Sequence, residues 1–219
     1  MKKLLTIFSL YSLLFSLSGA HAYTSKDIEN AIYLGIAGII EYKGDDYKLA
    51  DRSYRLDDSI TRAEVAGIAL KLRGTTLPEW YICKRYFIDT ILNDWICRAT
   101  ELAADAGLVS RTNVKFRPQD KITRAEALAI IIKAGWLSDH SPLIDPGMSF
   151  IDANLWQSNL LRIAESLKLV DFVKKPNNTG MWGLNMYFYP NRDATRAEVF
   201  GFAKSILEYK VMMSGEVTL

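Results

Sequence analysis

The sequence is poor in the residues that most catalytic and metal sites need. It holds 2 cysteines and 2 histidines in 219 residues. One of the histidines, His21, falls in a segment expected to be removed, and two Cys with His140 are too few for the usual zinc sites. There is no Ser-containing nucleophile elbow and no metal-binding His pair, so no catalytic residue, metal or cofactor is implied. Carboxylate pairs of the glycosidase kind meet only in space and leave no signature along the chain. A basic excess is also lacking. With Lys2 and Lys3 set aside, the 27 basic residues fall level with the 25 acidic ones, which argues against a nucleic-acid partner. Beyond residue 22 no apolar run approaches the ~20 residues of a membrane span.

The first 22 residues carry the regions of a secretory signal peptide: Lys2 and Lys3, an apolar stretch from Leu4 to Leu17, then Ala20-His21-Ala22 as the cleavage site. The mature chain is expected to start near Tyr23, without a membrane span. In an exported chain, Cys83 and Cys97 read as a disulfide closing a loop of about 15 residues, worth up to ~3 kcal/mol. Two unpaired thiols are the alternative.

One phrase occurs three times: Thr61-Arg62-Ala63-Glu64, Thr123-Arg124-Ala125-Glu126 and Thr195-Arg196-Ala197-Glu198. Each precedes an apolar run at helical spacing, so each Thr-x-x-Glu reads as a capping box. Glu64, Glu126 and Glu198 are then helix-capping residues. The Arg does not fit, because the first helical position favours acidic side chains. Two explanations stand side by side: an anion held by helix amides and guanidinium, or an ion pair with an acid across a repeat interface.

The flanks repeat as well. Tyr54, Phe116 and Phe188 each lie seven residues before the motif Thr, and Leu56, Pro118 and Pro190 five before it. Such offsets mark a repeated supersecondary unit. Each repeat is expected to open with a helix, closed by Gly38 in the first and by Gly107 in the second, and to end with the motif helix. In the third repeat, after Lys168-Leu169-Val170, an inserted loop is expected through Asn177, Asn178, Gly180, Trp182 and Gly183 to reach Phe188-Tyr189-Pro190. The last helix reads as finishing near Tyr209, and the chain from Met212 as a tail. Asp89 and Asp152 suit helix N-caps, and Trp95 and Trp156 suit either sugar stacking or ordinary packing.

With Phe87-x-Asp89, Trp95, Gly107-Leu108-Val109, Phe116-x-Pro118 and Ile122-Thr123-Arg124-Ala125-Glu126 in one repeat, and Phe150-x-Asp152, Trp156, Phe188-x-Pro190 and Thr195-Arg196-Ala197-Glu198 in the next, the sequence resembles the S-layer homology (SLH) family. The first repeat matches from Gly38-Ile39-Ile40 through Glu64. It lacks the Phe-x-Asp opening, while the third has Lys168 where Gly38 and Gly107 stand and Ala194 for the isoleucine.

The resemblance implies an all-α fold, three helix-loop-helix repeats in a pseudo-threefold, three-pronged bundle. The expected divisions are a signal peptide at 1–22, repeats at 23–74, 87–137 and 150–209, linkers at 75–86 and 138–149, and a tail at 210–219. It further implies a noncatalytic module in the secreted cell envelope, at the wall or S-layer. Its partner would be a polysaccharide linked to peptidoglycan, bound through a pyruvylated sugar carboxylate in the grooves between repeats. The implied glycan-binding residues are Arg62, Arg124, Arg196, Thr61, Thr123, Thr195, Gly38, Gly107, Trp95, Trp156, Asp89 and Asp152. The alternative is a structural envelope protein whose repeats associate with a second envelope protein.

Overall fold

The computed structural model describes residues 24–40, 54–92, 94–137, 148–171, 175–176 and 184–214. The expected signal peptide, His140, most of the second linker and much of the inserted loop lie outside them.

Six helices dominate the described residues: α1 (Ser25–Ile36), α2 (Arg62–Leu72), α3 (Trp95–Asp105), α4 (Arg124–Ala134), α5 (Leu155–Ser166) and α6 (Arg196–Ser214). The three motif helices begin as their sequence dictates. The Thr61, Thr123 and Thr195 N–H groups donate to Glu64, Glu126 and Glu198 at 2.9, 3.2 and 3.0 Å. The Glu N–H groups return the bond to the Thr hydroxyls at 3.3–3.4 Å. Each helix start thereby satisfies amides that would otherwise lack partners.

Motif helices α2, α4 and α6 pack on one another at the centre, and the opening helices α1, α3 and α5 lie outside them. In each of α2 and α4 eight of the eleven residues are buried, as a central helix requires. The pairing is shifted by one repeat relative to chain order: α3 packs on α2, α5 on α4, and α1 on α6. The helix-loop-helix unit of the sequence is therefore not the packing unit, and the first and last helices close the bundle.

The loops entering the motif helices close a ring. Ile60 N–H donates to Ala194 O at 3.0 Å, Ala194 N–H to Ile122 O at 2.9 Å, and Ile122 N–H to Ile60 O at 3.3 Å. These bonds use the backbone alone, so Ala194 can replace isoleucine. A second ring runs in the opposite sense, from Ala63, Ala125 and Ala197, whose N–H groups donate to the carbonyls of Pro118, Pro190 and Leu56. Threefold repetition is thus written into the hydrogen bonds.

Three features depart from expectation. A small sheet of order β1-β3-β2 forms from Met148–Phe150, Leu184–Tyr187 and Lys175–Pro176, so part of the segment read as an inserted loop is strand. Its centre, β3, runs parallel to β1 and antiparallel to β2. The last helix continues past Tyr209 to Ser214. It has reasons to persist, since α1 packs along it and Lys210 Nζ donates to Leu72 O at 2.8 Å. Finally, Asp89 and Asp152 cap no helix. The caps are Asp94 and Asn154.

The core is one continuous cluster fed by all three repeats, including Phe87, Phe116, Phe150, Phe188, Phe200 and Phe202. Cys83 and Cys97 form a disulfide, tying the first linker to α3. No helix among the described residues is long and apolar enough to cross a membrane.

Candidate functional site

The site begins with a turn that occurs once per repeat: Tyr54-Arg55-Leu56, Phe116-Arg117-Pro118 and Phe188-Tyr189-Pro190. The middle residue takes φ of 50°, 60° and 55°, a left-handed conformation that side chains disfavour. In two repeats an aspartate holds it there. Asp89 accepts the N–H groups of Phe116 and Arg117 at 2.9 and 2.8 Å. Asp152 accepts those of Phe188 and Tyr189 at 3.1 and 2.6 Å. The turn in turn aims its aromatic residue's carbonyl at the motif Arg of a neighbouring repeat.

The three arginines answer in cyclic order. Arg62 Nε donates to Phe116 O at 3.0 Å and its guanidinium lies 3.5 Å from Glu126. Arg124 donates to Phe188 O and lies 3.5 Å from Glu198. Arg196 Nε donates to Tyr54 O at 2.8 Å and its Nη1 to Glu64 at 2.5 Å. Each guanidinium also sits over a phenylalanine ring, at 5.3, 4.5 and 5.4 Å from the centroid of Phe116, Phe188 and Phe200. Each motif Glu thus caps its own helix and forms an ion pair with the arginine of another repeat. That second role offsets the macrodipole penalty of a cation at the first helical position.

The three are not equally accessible. The side chains of Arg62 and Arg196 are 17% and 20% exposed, that of Arg124 3%. Burial lowers the Arg124 pKa to about 10, against the opposing pull of Glu198.

One groove of about 410 Å³ brings the repeats together. Its walls are Ile39, Ile40, Glu64, Gly67, Ile68, Lys71, Leu77, Trp95 and Arg196. Lys71 comes from the first repeat, Trp95 from the second and Arg196 from the third. Trp95 is 41% exposed. Gly38, at φ +70°, reverses the chain after α1 so that Ile39 and Ile40 face the groove. Gly107 repeats that turn at φ +70°, and Lys168 makes it at φ +56° without the freedom of glycine.

Of the residues singled out from sequence, the groove collects Arg196, Trp95 and Glu64. Thr61, Thr123 and Thr195 are engaged in caps, and Asp89 and Asp152 in the turns. Trp156, 49% exposed, stands on α5, and Arg62 reaches Glu126 as Arg196 reaches Glu64. Lys71 escaped sequence reasoning, although a signal exists: lysine stands ten residues after the motif Thr in two repeats, as Lys71 and Lys133, and Ser205 stands there in the third.

Cys83, Cys97 and Glu101 lie close enough to suggest a metal site, but other bonds account for them. The sulfurs are joined, and the Glu101 carboxylate accepts the Lys84 and Tyr86 N–H groups at 2.6 and 3.0 Å and the Tyr81 hydroxyl at 3.3 Å.

Comparison with known proteins finds one family model and several longer relatives. Residues 88–128 match the model of the S-layer homology domain. Over 164 residues, 73% of this chain, the amylopullulanase of Thermoanaerobacterium thermosulfurigenes is 30% identical, exoglucanase XynX of Acetivibrio thermocellus 29%, and the middle cell wall protein of Brevibacillus brevis 24%. The match covers 8%, 14% and 13% of those proteins. The chain therefore spans a small fraction of the relatives it matches, and their enzyme names describe much longer proteins.

Proposed function

Residues 88–128 of the chain are an S-layer homology domain, and from that premise we propose that the protein is a noncatalytic anchor, holding a peptidoglycan-linked polysaccharide by the carboxylate of a pyruvylated sugar. The observation that carries this reading is the groove shared by Lys71, Trp95 and Arg196. Two cations and an aromatic face, each from a different repeat, suit a ligand that is anionic at one end and a sugar ring at the other.

Arg196 Nε and Nη1 engage the Tyr54 carbonyl and Glu64, from a guanidinium with five N–H donors. The others can take the carboxylate through charge-assisted bonds, and Lys71 adds a second positive charge. Glu64 in the same wall disfavours a ligand with further negative charge. A second site is expected around Arg62, Lys133 and Trp156, where the same residue types recur. The third position is weakest, since Arg124 is buried and Ser205 replaces lysine. Two weak sites on one polymer would add avidity.

The test is sedimentation of the mature chain with purified Brevibacillus brevis sacculi, before and after mild acid removal of pyruvate ketals, with folding checked by circular dichroism. Binding is expected to disappear with the pyruvate. Unchanged binding would overturn carboxylate recognition, and absence of binding to untreated sacculi would turn attention to a second envelope protein as partner.

A further inference from the structure

The linker between the first two repeats is fixed more firmly than a connector requires. It lines the groove through Leu77 and then turns, Tyr81 N–H donating to Pro78 O at 3.1 Å. Beyond the turn it is tied down twice. The fully buried Glu101 accepts two of its N–H groups and a tyrosine hydroxyl, and the disulfide joins Cys83 to Cys97. A buried carboxylate is costly unless it is hydrogen-bonded, and Glu101 places these bonds on this one segment. Alongside the charged side chains that it exposes, Glu79, Lys84 and Arg85, the braced segment turns outward two large apolar ones: Trp80 and Ile82 are 80% and 79% exposed.

We propose that Trp80 is a second sugar-stacking platform, taking a neutral ring further along the polysaccharide whose charged sugar occupies the groove. This rests on the groove reading above. Trp80 is three residues beyond Leu77, at most about 10 Å of chain. On the other side, Trp95 lines the groove and Cys97, two residues on, holds Cys83, so Trp80 is referenced to the groove from both directions. An indole face complements the apolar C–H face of a pyranose and needs no charge on it. Because the turn is already ordered, little conformational freedom is lost on binding.

The experiment compares two probes by calorimetry: the polysaccharide released from Brevibacillus brevis sacculi, and its single repeating unit after partial hydrolysis. For Trp80→Ala the polymer should bind roughly three- to tenfold more weakly, while the single unit binds as to the unaltered chain. Trp80→Phe, which keeps a stacking face, should recover most of the loss. Equal polymer affinity in Trp80→Ala and the unaltered chain overturns the platform and leaves the groove standing. Equal loss for polymer and unit also overturns it, assigning Trp80 to the groove itself. Failure of the unaltered chain to bind either probe defeats the groove reading and the platform with it.

Discussion

Arg124 and Arg196 occupy the same place in the motif, yet replacement by alanine should act mainly on stability at Arg124 and mainly on binding at Arg196. Arg124 is 2% exposed, and its loss removes a donor from the Phe188 carbonyl and a cation from beside Glu198. Breaking a buried ion pair by removing one partner costs about 3–5 kcal/mol. Glu198 retains Arg192 and the Thr195 N–H as partners, which lowers the expectation to about 2–3 kcal/mol. For a chain of this size that is a fall in Tm of roughly 4–12 °C. Arg196 is nearer the solvent, with a side chain 20% exposed, and its pair with Glu64 is correspondingly screened. Arg196→Ala should cost about 1 kcal/mol, or roughly 2–4 °C, while abolishing sacculus binding. Paired thermal melts followed by circular dichroism decide the matter, with binding measured well below both transitions. If the two variants melt within about 2 °C of each other, burial does not separate these arginines and the structural role given to Arg124 is wrong.

Three further outcomes are expected. Lys168→Gly should raise stability by about 0.5–1 kcal/mol, because Lys168 holds φ +56° where the other repeats have glycine; urea titration measures it, and a loss would contradict the strain. Reduction of Cys83–Cys97, which closes a 14-residue separation, should lower stability by about 2–3 kcal/mol, read as a lower urea midpoint with dithiothreitol than without. Lys71→Ser, which copies the third repeat's Ser205 into the groove, should weaken sacculus binding about tenfold by removing one charge contact, measured well below the melting transition; unchanged binding would remove Lys71 from the site.

What the sequence reveals and conceals divides along the range of the interactions. The capping boxes were legible because Thr and Glu are three residues apart, and the repeats because offsets from the motif are counted along the chain. The destination of the arginines was not, since Arg62 bonds to Phe116 and Arg196 to Tyr54, 54 and 142 residues away. Of the two explanations of those arginines, the ion pair across a repeat interface is the one the structure shows, although the sequence did not identify the acid as the capping Glu of another repeat. Asp89 and Asp152 were read as caps for the same reason: a nearby helix start is visible in sequence, whereas the turn at Phe116 or Phe188 is not. The one-repeat shift in helix pairing follows from these long-range bonds. Each turn must reach the motif helix of a neighbouring repeat, so a groove inherits residues from all three repeats instead of one. The groove draws on each of these packings: α3 on α2 brings Trp95 beside Lys71, the Arg196–Glu64 pair brings α6 to α2, and α1 on α6 sets Ile39 and Ile40 in the wall.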